Sequence, residues 1–251
     1  MKDSLLGVRK ISSDAKSAAA SPAILIFCLA LAIIGAFAVG CCTCVHDGSQ
    51  LSSTISSPQF VHFNSSDLGK VPTDFTTALT GDGGPVSWVV RDDPQAPSGG
   101  PVLVQESADT NNYRFPMCIY DKVTARDVAV EVKFKTISGK VDEAGGIVLR
   151  YTPGNYYIAR ANALENNVIL FKTVAGKRSH IQDVPVPVAP GVWHTLRFEA
   201  RGTLLTISLD GKIVLNRRDR TFTNPGKVGV WTKADSVSAF TGFKVEPAFF
   251  D

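Results

Sequence analysis

Short stretches in which apolar and polar residues alternate recur along the chain after residue 59. In residues 127–135 (DVAVEVKFK) every second residue is apolar, which is typical of a strand with one buried face. The same alternation appears in residues 193–199 and 205–209. Asp210 and Gly211 come next and predict a tight hairpin turn into residues 212–215.

Residues 227–233 and 240–245 read as two further strands, and Gly, Pro, Asn and Asp occupy the connections. Many short strands in close succession predict an all-β domain, a jelly-roll sandwich of two antiparallel sheets. The chain shows no internal repeat of fixed period, which argues against a propeller or a solenoid. We expect one domain over residues 59–248, which is large enough to bury its own core.

The N-terminal part of the chain has a different character. Residues 23–40 (AILIFCLALAIIGAFAVG) form an uncharged apolar run close to the shortest length that spans a bilayer. Residues 1–22 carry more basic than acidic side chains, which predicts a cytoplasmic N-terminus and export of the remainder. We therefore predict an apolar helix that acts as a signal sequence or membrane anchor, with the β domain tethered in the cell envelope outside the cytoplasm.

Two fates of this segment stay open. Residues 37–41 (FAVGC) resemble a bacterial lipobox, in which Cys41 is lipidated and becomes the new N-terminus, although Ala38 stands where Leu is usual. The alternative is an uncleaved signal anchor, which the long basic region before the apolar run favours. Residues 41–58 are rich in Ser and Thr, as expected of a flexible tether.

Composition and charge exclude several function classes. The formal net charge is only +3 and no basic run is interleaved with aromatic residues, so we expect no nucleic-acid partner. Cys118 is the one cysteine after residue 44, so it has no disulfide partner in the β domain and is expected to be a buried, inert thiol. His and Cys residues show no metal-ligand spacing, and we expect no metal or other cofactor. A structural Ca²⁺ ion, which sandwiches of this type can hold, has no motif to support it.

Three strings in the domain carry a resemblance: residues 144–151 (AGGIVLRY), 155–167 (NYYIARANALENN) and 226–236 (GKVGVWTKADS). They resemble bacterial concanavalin A-like domains of the 3-keto-disaccharide hydrolase group, also described as family-16 glycoside hydrolase-like or LamG-like. With shorter matches elsewhere, the resemblance extends over residues 60–246. It implies a concanavalin A-like jelly roll, export, and carbohydrate or glycoconjugate as the ligand class.

The acidic residues do not form the site of a retaining glycosidase. Such a site places carboxylates at alternate positions of one strand, about 5 Å apart. The chain has no Glu-x-Asp-x-Glu sequence, and it has no Gly-x-Ser-x-Gly elbow of a serine hydrolase. Hydrolysis of glycosides or keto-glycosides remains an open alternative, with Glu165 and Asp235 as the candidate acids.

Aromatic and polar residues in and beside these strings are candidates for binding sugar. Side chains two apart on a strand share a face, as Tyr156, Arg160 and Asn162 do if extended. Aromatic rings stack on a pyranose while charged and amide groups pair with its hydroxyls. The full candidate set is Arg150, Tyr156, Arg160, Asn162, Glu165, Lys172, Trp231, Lys233 and Asp235.

Three functions are therefore consistent with the sequence. The first is a membrane-tethered module that binds carbohydrate, which the missing carboxylate triad favours. The second is a hydrolase acting on glycosidic compounds. The third is a structural envelope protein with no sugar ligand, in which the same charged residues form an ion-pair network on the surface of a sheet.

Overall fold

The computed structural model describes residues 55–248, which form two antiparallel β-sheets and one turn of 3-10 helix at Ser65–Asp67. From edge to edge the first sheet contains β13 (Lys212–Arg218), β12 (Leu204–Leu209), β11 (His194–Arg201), β6 (Val128–Ser138), β15 (Val237–Pro247), β4 (Val102–Gln105) and β3 (Trp88–Arg91), with β1 (Gln59–Val61) also paired with β15. The second sheet contains β10 (Lys177–Pro185), β9 (Asn167–Val174), β8 (Asn155–Asn162), β7 (Ala144–Thr152), β14 (Gly226–Trp231), β5 (Arg114–Ala125) and β2 (Phe75–Gly81). The predicted all-β sandwich of two antiparallel sheets is confirmed.

The N-terminal predictions lie outside the described residues. They comprise the apolar helix over residues 23–40, lipidation of Cys41 and most of the tether over residues 41–58. Within residues 55–248, no helix is long and apolar enough to cross a membrane.

The hairpin predicted at Asp210 and Gly211 is present. β12 and β13 pair on either side of it, and the two turn residues have φ angles of 49° and 78°. Positive φ at both positions is what a two-residue turn of type I′ requires. The alternating residues 127–135 and 193–199 correspond to β6 and β11, as predicted.

Side chains from both sheets meet in one hydrophobic core between them. Phe134 and Phe198 enter it from the eight-stranded sheet, and Leu149 and Leu170 enter it from the seven-stranded sheet. Cys118 also lies in this core, where burial raises the pKa of its thiol. The structure confirms that Cys118 is a free, buried cysteine, and its inertness stays a prediction.

The seven-stranded sheet is covered on its outer face as well. Strand β11 of the other sheet alternates buried and half-buried residues, whereas β8 is buried at every position after Asn155. Its outward side chains belong to a second apolar cluster, the outer cluster, which draws only on strands of this sheet. The buried members are Phe115, Met117, Ile119, Ala144, Val148, Tyr156, Ile158, Ile169, Phe171 and Trp231.

This outer face is concave. Phe115 on β5 and Phe171 on β9 are four strand positions apart, which is about 19 Å in a flat sheet. Both rings nevertheless lie over the guanidinium group of Arg178 on β10, at 4.3 and 4.4 Å. The sheet must therefore curl around this face, and it brings side chains from distant strands together.

Candidate functional site

A network of charged side chains occupies one end of the concave face. Asp142 has a fully buried side chain and accepts hydrogen bonds from Asn162 Nδ2 at 2.9 Å and Lys233 Nζ at 2.7 Å. Arg160 Nη1 lies 3.7 Å from the same carboxylate. Burial raises the pKa of Asp142, and Arg160 and Lys233 act in the opposite direction. We call these residues, with Glu165, the Asp142 network.

Glu165 is the exposed end of this network. Arg160 Nη2 donates hydrogen bonds to Glu165 Oε2 at 2.6 Å and to Asn167 Oδ1 at 2.7 Å. The bond from Arg160 is the main cause that holds the pKa of Glu165 below its usual value. Glu165 is therefore a partnered carboxylate at neutral pH, which is a poor state for a proton donor.

Asp235 anchors a loop. Its carboxylate accepts backbone N–H bonds from Lys140 at 2.8 Å, Val141 at 3.1 Å and Asp142 at 3.0 Å. Burial raises the pKa of Asp235, but these N–H bonds outweigh burial and the pKa lies below its usual value. The side chain thus fixes the connection between β6 and β7, and its acceptor capacity is taken up by the backbone.

Aromatic rings line the middle of the concave face. Phe115 and Trp231 are stacked with their centroids 5.8 Å apart, and the Arg178 guanidinium lies over Phe115, over Phe171 and, at 5.9 Å, over Trp231. Burial is the largest cause that lowers the pKa of Arg178, to about 10. Arg178 is nonetheless partly exposed as a residue, although its Nη1 atom is buried.

Tyr156, Thr173 and Arg178 are cross-strand neighbours on β8, β9 and β10, and we call them the polar row. The Tyr156 hydroxyl interacts with the side chains of Thr80 and Thr173, whereas Arg178 Nη1 is buried without a hydrogen-bond partner in the described part of the chain. Trp231 Nε1 and Arg160 Nε are unpartnered on the same face. A buried polar atom left without a partner costs about 1–3 kcal/mol. Because these atoms have almost no accessible surface, a ligand on this face contacts the partly exposed side chains of Arg178 and Tyr151 and not the unpartnered atoms themselves.

A pocket of about 390 Å³ lies beside the polar row on the same face. Tyr151, Ala78 and Ile119, which pack in the outer cluster, contribute apolar surface to it. The Tyr151 ring is half-buried, and its centroid is 5.6 Å from that of Tyr156. An ion pair of 2.6 Å between Lys227 and Asp121 adds charged groups to the lining. The remaining lining residues are Thr76, Thr77, Thr124, Thr152, Pro153, Pro225 and Gly226.

Most of the residues predicted from the sequence to bind sugar come together on the concave face or at its charged end. Tyr156, Arg160 and Trp231 point to the concave face, and Arg160 and Trp231 occupy positions on either side of Gly146 of β7. The others that join them through the Asp142 network and its adjoining loop are Asn162, Glu165, Lys233 and Asp235.

Arg150 and Lys172 do not join this group. The backbone at Arg150 has a φ of 54° within an irregularity of β7, so Tyr151 occupies the outer face and Arg150 does not. Its guanidinium donates to the carbonyl oxygens of Arg126, Phe222 and Gly202 instead. Lys172 alternates with the outward Phe171, and its ammonium group bonds Asp219 and Thr221. Both side chains hold loops in place.

Four residues that shape the site were not among those predicted from sequence: Asp142, Tyr151, Thr173 and Arg178. The sequence contains a turn signal that could have placed Thr173 and Arg178. Ala175 and Gly176 form a two-residue turn with φ of 48° and 78°. That turn sets Thr173 opposite Arg178. No group of three or more His, Cys, Asp or Glu side chains in residues 55–248 is arranged to hold a metal ion.

Comparisons with known proteins support the fold. The chain matches no protein-family profile and no curated protein. Solved structures are similar: the carbohydrate-binding module CBM66 from Bacillus subtilis has a TM-score of 0.57 and 23% identity, over 69% of this chain and 96% of that one. A Bacillus subtilis protein of unknown function with a galectin-like fold has a TM-score of 0.54 and 12% identity, over 80% and 99%. A native glycosidic hydrolase has a TM-score of 0.52 and 14% identity, over 79% and 99%. At these identities the likeness establishes the jelly-roll fold.

Proposed function

We propose that the β domain is a carbohydrate-binding module that holds a saccharide on the concave face of its seven-stranded sheet. The observation that carries the proposal is the partly exposed Arg178, which lies over the aromatic rings of Phe115 and Phe171 on the same face as the pocket at Tyr151. A sugar ring offers an apolar face to Tyr151 and hydroxyl groups that donate and accept hydrogen bonds. Such a ligand therefore fits both the apolar pocket at Tyr151 and the polar side chains beside it.

The solved structures of similar fold are consistent with this class of ligand. One is called a carbohydrate-binding module and another a glycosidic hydrolase. The finer assignment to the 3-keto-disaccharide hydrolase group rests on the sequence strings. Because Glu165 is paired with Arg160 and Asp235 is bound by three backbone N–H groups, neither is placed to act as a general acid. These contacts favour binding over hydrolysis.

We also propose that the module is exported and tethered to a membrane. The support is the apolar run over residues 23–40, its basic flank and the Ser- and Thr-rich tether that follows. The mass of the mature protein distinguishes two forms of anchor. A lipid-modified N-terminus at Cys41 indicates a lipoprotein, and a mature chain that retains residues 23–40 indicates an uncleaved anchor. A mature chain that begins after residue 41 without lipid contradicts tethering.

Binding is tested with the full chain, purified in detergent, on a panel of immobilised neutral and acidic glycans. We expect specific retention of at least one glycan without release of a cleaved product. Tyr151→Ala removes the half-buried ring of the pocket and is expected to weaken that binding about tenfold or more. Ile213→Ala removes an exposed side chain on β13 of the other sheet and serves as the matched control.

Two results count against the proposal. If the wild-type chain retains no glycan, the alternative of a structural envelope protein gains support. If Tyr151→Ala binds as tightly as the wild type, while Ile213→Ala weakens binding, the saccharide lies on the eight-stranded sheet instead.

A further inference from the structure

Arg178 differs from the other cations of the concave face in its partners. Arg160 is paired with Glu165, Lys233 is paired with Asp142, and the cation at the pocket, Lys227, is paired with Asp121. Among residues 55–248, Arg178 has no carboxylate within ion-pair distance, and its Nη1 atom is buried without a hydrogen-bond partner. It is therefore a positive charge of this face without a direct ion pair, on which the Asp142 carboxylate acts only from a distance.

Aromatic rings stabilise this charge only in part. The rings of Phe115 and Phe171 face the guanidinium at 4.3 and 4.4 Å, which is a favourable cation–π distance. A ring face is a weak acceptor for N–H groups, however. The N–H donors of a guanidinium lie in its own plane, in a fork that matches the two oxygens of a carboxylate. A partly buried cation without an anion is costly, so a ligand anion fits here better than a neutral group.

The neighbours of Arg178 extend the same site toward the pocket. Thr173 stands opposite Arg178 on β9, and Tyr156 stands opposite Thr173 on β8. Both side chains are fully buried, and the Tyr156 ring adjoins Tyr151 of the pocket. An oligosaccharide that rests on Tyr151 thus has Arg178 at the far end of the row.

We propose that the saccharide recognised by this face is acidic, and that a uronic-acid carboxylate binds the Arg178 guanidinium. The inference rests on the proposed carbohydrate-binding function and specifies its ligand class. The two carboxylate oxygens accept N–H bonds from the accessible side of the Arg178 guanidinium, while another ring of the same oligosaccharide rests on Tyr151. Phe115 and Phe171 hold the guanidinium in one orientation, so that little side-chain freedom is lost on binding.

The test compares uronic-acid oligosaccharides with their methyl esters, which keep the sugar and remove the charge. The probes are galacturonate, glucuronate and mannuronate oligomers, with the corresponding neutral hexose oligomers alongside. The full chain is expected to bind at least one acid about tenfold or more tightly than its ester. Arg178→Gln, which keeps N–H donors on a shorter side chain without charge, is expected to remove this preference. Arg217→Gln, on exposed β13 of the other sheet, is expected to keep it.

The outcomes separate this inference from the function on which it rests. Neutral oligomers that bind as tightly as acids overturn the acidic preference and leave carbohydrate binding intact. An acid preference that persists in Arg178→Gln also overturns the assignment of the anion to this residue. If no oligomer of any class binds the wild-type chain, carbohydrate binding itself fails. The comparison of acid and ester in the wild type needs no variant, so it holds even if Arg178→Gln folds poorly.

Discussion

The Tyr113 hydroxyl donates a 3.1 Å hydrogen bond to the carbonyl oxygen of Gly176, and it accepts the backbone N–H of Arg178 at 3.2 Å. Tyr113 stands just before β5, near one edge of the seven-stranded sheet, whereas Gly176 lies in the turn between β9 and β10 at the other edge. These bonds therefore bridge the concave face. They tie the turn that presents Arg178 to the opposite side of the site.

Tyr113→Phe tests whether this bridge stabilises the curled sheet. The change removes both hydrogen bonds and keeps the ring that packs against Phe115. We expect the free energy of unfolding in urea to fall by about 1–2 kcal/mol, because a net hydrogen bond contributes about 1 kcal/mol. Tyr120→Phe is the control, since its hydroxyl makes only a long contact of 3.4 Å with Gln59. Equal stability of Tyr113→Phe and wild type contradicts a structural role for the bridge.

Asp142→Asn tests the buried ion pairs at the end of the concave face. Asn keeps the shape but presents an uncharged group to Lys233 and Arg160, both of which are buried. Breaking one side of a buried pair typically costs about 3–5 kcal/mol, and we expect a loss of unfolding free energy in this range. Asp74→Asn removes the carboxylate of an exposed pair with Lys122 and is expected to remain close to wild type. If both variants lose similar amounts of unfolding free energy, burial does not strengthen the ion pairs of Asp142.

Gly146→Ala tests how closely the concave face is packed. A Cβ at this position of β7 would lie 2.8 Å from the carbonyl oxygen of Ala159 and 3.2 Å from Trp231 Cε3. The backbone oxygen has little room to move, so we expect a loss of about 1–3 kcal/mol in unfolding free energy. Gly100→Ala is the matched control, because no atom lies within 4 Å of its added Cβ. A Gly146→Ala protein as stable as the control means that the strand shifts without cost.

The stabilisation that Asp219 contributes to the loop between β13 and β14 depends on pH. Burial raises the pKa of its carboxyl, but hydrogen bonds from Thr221, Tyr157 and Lys172 outweigh burial and hold the pKa well below its usual value. A depressed pKa in the folded state means that the stabilisation is complete above about pH 4 and is lost as the pH falls toward the folded pKa.

The variant Asp219→Asn isolates this contribution. Between about pH 4 and pH 2 its unfolding free energy is expected to decline less steeply than that of the wild type, when measured by urea denaturation at each pH. Asp82→Asn, in an exposed turn, is expected to keep the wild-type slope. If Asp219→Asn and the wild type have the same slope, the carboxylate has no stabilising partners in solution.

The fold was predictable because its signals are local. Alternation fixes which residues of β6 and β11 face the core, and Asp210-Gly211 fixes one hairpin. The site was predictable only in part, since period two correctly grouped Tyr156 with Arg160 but could not foresee the irregularity that turns Arg150 away. Contacts such as Asp142 with Lys233 join residues 91 positions apart, and they depend on strand order, which no local pattern encodes.

The most direct test of the account observes the indole N–H signals of the three tryptophans by NMR while the saccharide that the full chain binds most tightly is added. Trp231 Nε1 lies unpartnered on the concave face, whereas Trp88 packs against Phe240 in the core and Trp193 packs on the eight-stranded sheet. We predict that the Trp231 signal shifts in proportion to occupancy and that the other two do not. A saturable shift of Trp193 with no change at Trp231 would contradict a binding site on the concave face.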